Sequence, residues 1–127
     1  MLLKTLAIDF GTKRIGLAIS VATLADPYKI IPHDDKTPVA IRKICAMEGV
    51  KQILMGISEN EMAEKTKAFA KKLEKEVDLP IIFFDETLSS KTVHEKLATS
   101  HMKRSKRQQP IDHYAASEFL QEWLDNQ

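Results

Sequence analysis

Three acidic positions lie where apolar elements begin or end, and carboxylates so placed can hold cations. Asp9 closes the run Leu6-Ala7-Ile8, Asp85 and Glu86 close Ile81-Ile82-Phe83-Phe84, and Asp112 opens the last amphipathic stretch. A carboxylate against apolar surroundings is costly unless its charge is offset, and a bound cation is the simplest offset. If the first and last strands approach each other, Asp9 and the Asp85/Glu86 pair converge, and the final helix brings Asp112 beside them. Such carboxylates repel one another unless divalent cations bind between them. Ligands that are all oxygen favour Mg²⁺ or Mn²⁺. Two such ions about 4 Å apart suit in-line attack on a phosphodiester, one activating water and the other stabilising the leaving oxygen. Each acid also has a local explanation, an Asx turn at Asp9 or a helix-leading charge at the other positions. The conjunction of the three favours a site.

Cations stand near these acids. No acid occurs between Glu95 and Asp112, and Lys103, Arg104, Lys106 and Arg107 crowd into that interval. Lys13 and Arg14 follow Asp9. Clustered Lys and Arg contact phosphate backbones and position a nucleic acid without reading its sequence. The alternative is a solvated loop. Aromatic residues make up only 6% of the chain and none is interleaved with these cations, so base stacking of the single-strand-binding kind is not expected. His113 follows Asp112 but points about 100° away on a helix, which suits a surface histidine better than a proton-transfer group.

The elements that must position these residues are legible in the apolar pattern. Residues 2–9 and 15–21 read as two strands joined by the turn Gly11-Thr12-Lys13-Arg14, an antiparallel hairpin. Tyr28 to Ile31 reads as a third, short strand. Pro38 opens a helix with Val39, Ile41, Ile44 and Cys45 on one face, ending near Gly49. Gln52 to Gly56 is a buried strand. Ser58-Glu59-Asn60-Glu61 has capping-box spacing, and the helix behind it buries Met62, Thr66, Phe69, Ala70, Leu73 and Val77. Pro80 to Asp85 is a further strand, a short helix follows from about Ser89 to Ser100, and Pro110 starts the last helix. Asp112, Ala116, Phe119 and Trp123 share one stripe of it. The order β-β-β-α-β-α-β-α-α predicts an α/β protein with a mixed five-stranded sheet, three antiparallel strands followed by parallel ones, and helices on both faces.

Composition narrows the class. The 127 residues suit one domain spanning 1–127, and 43% hydrophobic with 29% charged residues is ordinary for a folded chain. The formal net charge of +1 names no partner by itself. A lone Cys45 excludes an internal disulfide and a multi-cysteine zinc site, and its apolar surroundings indicate a buried structural thiol. No apolar stretch approaches the roughly 20 residues of a membrane span. The first strand begins too early for a signal peptide, so the expected location is the cytoplasm.

Three blocks together resemble the YqgF family, also called RuvX, over nearly the whole chain. They are Ala7-Ile8-Asp9-Phe10-Gly11-Thr12-Lys13-Arg14-Ile15-Gly16, then Asp85-Glu86-Thr87-Leu88-Ser89-Ser90, then Ile111-Asp112-His113-Tyr114-Ala115-Ala116. Members are described as Holliday junction resolvases and as nucleases that process pre-16S ribosomal RNA. The resemblance implies a ribonuclease-H-like fold related to the RuvC resolvases. It also implies a Mg²⁺- or Mn²⁺-dependent phosphodiesterase site built from Asp9, Glu86 (with Asp85 adjacent) and Asp112. Sequence leaves open which member of the Asp85/Glu86 pair binds metal; the longer Glu86 is favoured. The implied function is processing of the 5′ end of pre-16S ribosomal RNA, with precursor RNA and ribosome-assembly particles as partners. The alternatives are resolution of branched DNA and a non-catalytic, RNA-binding role in ribosome assembly. Monomer and homodimer both stay open. The chain departs from the family pattern at Gly56-Ile57-Ser58, where a glycine-bearing loop is shortened, and at Thr87 and Val93, where many relatives carry Arg and Ala.

Overall fold

The computed structural model describes residues 3–57, 61–85 and 112–127, with the backbone alone described at 61 and 112–114. The chain runs β1 (Thr5–Asp9), β2 (Arg14–Val21), β3 (Leu24–Pro32), α1 (Thr37–Glu48), β4 (Gln52–Ile57), α2 (Glu61–Glu74) and β5 (Ile81–Asp85), and α3 spans Asp112–Asp125. The five strands form one sheet in the order β3-β2-β1-β4-β5. β1 pairs antiparallel with β2 and β2 with β3, whereas β1 pairs parallel with β4 and β4 with β5. The mixed sheet expected from the element order is therefore present. The capping-box residues 58–60 and the expected helix at 89–100 lie outside the described residues.

The sheet separates two cores because successive strand residues point to opposite faces. Leu6 and Ile8 of β1, Ile15, Leu17 and Ile19 of β2, and Ile53 and Met55 of β4 meet Ile41, Ile44 and Cys45 of α1 and Phe69, Ala70 and Leu73 of α2. On the other face Ala7, Ala18 and Leu54 meet Ala116, Phe119, Leu120 and Leu124 of α3. Small residues on the α3 face let that helix lie close to the central strands. Val39, expected on the buried face of α1, is only half-buried, and Thr37 takes the inner place instead. The Thr37 hydroxyl donates to Pro32 O at 2.8 Å and accepts from the Asp34 N–H at 2.8 Å, so it stitches the helix start to the end of β3. Gly49 ends α1 in the left-handed conformation at φ 69°, as a helix C-cap requires.

β3 is longer than the Tyr28–Ile31 strand read from the sequence. Asp26 and Pro27 hide its pattern, because Pro cannot donate to a ladder. The strand tolerates Pro27 because β3 lies at the sheet edge, and a bulge there shifts the register between Leu17 and Ala18. The hydrogen bonds at the far end of the sheet are internal. Ser20 Oγ accepts from the Thr5 N–H at 2.8 Å, and Gln52 Nε2 donates to Thr5 Oγ1 at 2.9 Å.

Candidate active site

The parallel strands β1, β4 and β5 end together on one side of the sheet, and in α/β sheets such carboxyl ends border the binding crevice. Asp9 is the last residue of β1 and half-buried. Ala7, two residues earlier, packs against α3, so alternation aims Asp9 toward the α3 face. Beyond it, the turn closes a cavity of about 250 Å³ lined by Asp9, Phe10, Gly11, Thr12, Lys13 and Arg14. Asp9 and the cations Lys13 and Arg14 therefore share one concave surface. The turn is very tight: a Cβ at Gly11 would lie 2.3 Å from the Arg14 carbonyl oxygen.

α3 is directed toward the same end. Its C-terminal half is tied to the β2–β3 hairpin, where Gln121 Oε1 accepts from the Ala25 N–H at 2.8 Å and Nε2 donates to Thr23 O at 2.9 Å. Phe119 stacks on Phe84 of β5, with ring centroids 5.6 Å apart. Ala116 is fully buried in the cluster that holds Ala7 and Ala18. Asp112, the first residue of α3, stands four positions before Ala116 on the same stripe, just over one turn or about 6 Å of rise away. An acid at a helix N-terminus also complements the helix dipole.

The strand order qualifies one expectation. β1 and β5 are not neighbours, since β4 lies between them, and two strand spacings amount to roughly 10 Å. Residue 56, which pairs with Phe84 on the β5 side, is a glycine. It belongs by alternation to the α3 face, so β4 itself places no side chain between Asp9 and the end of β5. Alternation also separates Asp85 from Asp9. Ile82 and Phe84 pack on the α3 side, which gives Asp85 to the opposite face, where it is exposed. Glu86, Lys103, Arg104, Lys106 and Arg107 lie outside the described residues, as does the side chain of Asp112. Among the described residues no three His, Cys, Asp or Glu side chains gather as a metal centre.

One group near the turn carried no sequence signal. His33, just after β3, places its Nδ1 3.0 Å from Gly11 O. The two residues are 22 positions apart, and nothing in the apolar pattern links them. Cys45 is buried, as its surroundings indicated, and burial pushes its thiol up to about 11. It lies on the α1 side of the sheet, away from Asp9. The Tyr28 phenol is also raised, first by desolvation and then by Glu48, to which its O–H donates at 3.3 Å.

A mixed sheet in this order, with a C-terminal helix covering the face onto which the end of its central strand opens, defines the ribonuclease-H-like fold class. The solved structure of T. thermophilus RuvC in complex with a Holliday junction substrate matches the fold with a TM-score of 0.63, covering 98% of this chain and 95% of that one at 12% identity. The model of the RuvX family, described as Holliday junction resolvase, matches residues 3–126. The chain belongs to the RuvX family. A relative from Maridesulfovibrio salexigens, named "Putative pre-16S rRNA nuclease", is 36% identical over 96% of this chain and 98% of its own length. Relatives of the same name from Ruegeria sp. and Geobacillus sp. are 37% and 34% identical, over 93% and 98% of this chain and 82% and 99% of their own. The protein is a hydrolase acting on phosphodiester bonds. Among the described residues no helix is long and apolar enough to cross a membrane.

Proposed function

We propose that this protein is a divalent-metal-dependent nuclease that trims the 5′ end of precursor 16S ribosomal RNA in the cytoplasm. Asp9, Glu86 and Asp112 are its metal-holding carboxylates. The observation that carries the reading is Asp9, half-buried at the end of the central strand and lining a cavity with Lys13 and Arg14. The residues fit Mg²⁺ or Mn²⁺, because Asp9 offers hard oxygen donors and, among the described residues, no sulfur or imidazole ligand lines its cavity. Bound there, such ions supply an acidified water and offset charge on the leaving oxygen. The protein's own residues do the rest. The backbone of Asp9 is held by the strand ladder up to its pairing with Gly16, so that backbone needs little ordering when substrate arrives. Lys13 and Arg14 hold the sugar-phosphate backbone against that end of the sheet, aided by Lys103, Arg104, Lys106 and Arg107. The name shared by the curated relatives supports ribosomal RNA as the substrate.

The test is cleavage of a precursor carrying the 16S 5′ extension. Asp9→Asn is expected to cut below about 1% of the wild-type rate with an unchanged circular dichroism spectrum. Chelation with EDTA stops the wild-type protein, and added Mn²⁺ restores it. Undiminished cleavage by Asp9→Asn sinks this assignment. The family's description as Holliday junction resolvases favours branched DNA as the second reading. Rates on a four-way junction and on the RNA precursor, under matched metal conditions, decide between them.

A further inference from the structure

We infer that His33 is a positioning residue for Asp9, its imidazole clamping the turn on which that carboxylate hangs; this rests on the nuclease reading above. β1 leaves the sheet directly after Asp9, since its last pairs are Asp9 with Gly16 and Ile8 with Met55. The chain then turns through residues 10–13 before β2 begins at Arg14. Whatever holds this turn therefore governs where the end of β1 points.

Two contacts from His33 hold it. The His33 N–H donates to Lys13 O at 3.0 Å, which carries the β2–β3 ladder one step past the Arg14–Pro32 pair. The ring Nδ1 lies 3.0 Å from Gly11 O. A carbonyl only accepts, so Nδ1 carries the hydrogen, a condition met by one neutral tautomer and by the imidazolium alike. The ring is itself braced. It meets Phe10 edge-on at 4.9 Å and Phe69 of α2 at 5.5 Å, and the two phenyl rings are 5.2 Å apart. The backbone behind it is pinned by Thr37, whose hydroxyl bonds both Pro32 O and the Asp34 N–H. A rigid path thus runs from α1 and α2 through His33 to Gly11, two residues from Asp9. Misplacing a catalytic group by about 1 Å costs on the order of 100-fold in rate, so a clamp at this distance acts on turnover more than on substrate affinity.

The ring's donor and its packing separate by substitution. Asparagine sets an amide N–H at the same bond distance from Cβ as Nδ1 and removes the ring. Phenylalanine keeps the ring and removes the donor. Two readouts apply to both purified variants: kcat and KM for the RNA precursor with Mn²⁺, and amide exchange of Thr12 and Lys13 by NMR. His33→Asn is expected to stay within about threefold of wild type in kcat, with unchanged exchange. His33→Phe is expected to lose about tenfold or more in kcat, with KM within about twofold, and to exchange faster at Thr12 and Lys13. A His33→Phe protein that matches wild type in either readout overturns the inference, as does an equal loss in both variants, which would mean that the ring alone matters. If the wild-type protein lacks metal-dependent cleavage, the nuclease reading falls, and exchange alone then decides the clamp.

Discussion

Asp9 and Cys45 are both flanked by apolar residues, and the fold gives them opposite environments. Asp9 ends its strand at a cavity that Lys13 and Arg14 also line. Cys45 faces the sheet from α1 with 5% of its surface exposed, and its thiol is raised from 9.0 to about 11. The sign of the consequence follows from linkage. A thiol that holds its proton more tightly when folded favours the folded state at pH values below 9. That advantage is lost as the unfolded thiol ionises, and the loss is complete once pH passes the folded value of about 11. The unfolding free energy is expected to fall between pH 9 and 11 through this group, by about 1 kcal/mol once solvent screening is allowed for. Urea unfolding of wild type and Cys45→Ala at the two pH values checks it, because the variant lacks that part of the slope.

Elements decide which acids can work together. α3 covers the face that Asp9 shares with Ala7, and alternation along β5 gives that face to Phe84 and withholds it from Asp85. Asp85→Asn is therefore expected to cleave within about threefold of wild type, while Glu86→Gln falls below about 1%; parallel single-turnover assays compare them. The position of α3 depends in turn on Gln121, which bonds Ala25 N, Thr23 O and Asp125 Oδ1. Gln121→Ala leaves the part-buried Ala25 N–H without this partner. It is expected to cost about 1–2 kcal/mol in chemical denaturation and to lower kcat by loosening the helix that carries Asp112.

For the whole molecule, charge distribution outweighs net charge. A formal +1 gives little general attraction to a polyanion, so binding has to come from local groups of Lys and Arg. Replacing Lys103, Arg104, Lys106 and Arg107 together by glutamine is expected to reduce the slope of log K against log salt by about 3 to 4 on duplex substrates. Fluorescence anisotropy with labelled RNA over a salt series measures that slope.

The sheet was legible because its central strands are buried on both faces and so read as unbroken apolar runs. β1 and β4 show this in Leu6-Ala7-Ile8 and Ile53-Leu54-Met55. The helices were legible from stripes such as Ala116, Phe119 and Leu120, and the end of α1 from Gly49. The extent of β3 was not, because an edge strand is free to carry Asp26 and Pro27. Asp9 was visible in the sequence as a carboxylate closing an apolar run, but an Asx turn explains such a residue equally well, and only its conjunction with Asp85/Glu86 and Asp112 pointed to a site. Which acids can share a face with it was a matter for the tertiary structure, because strand order and side-chain parity across β4 and β5 depend on pairing between distant segments. The contact of His33 with Gly11 belongs to the same kind, for a hydrogen bond between residues 22 positions apart leaves no periodic trace along the chain.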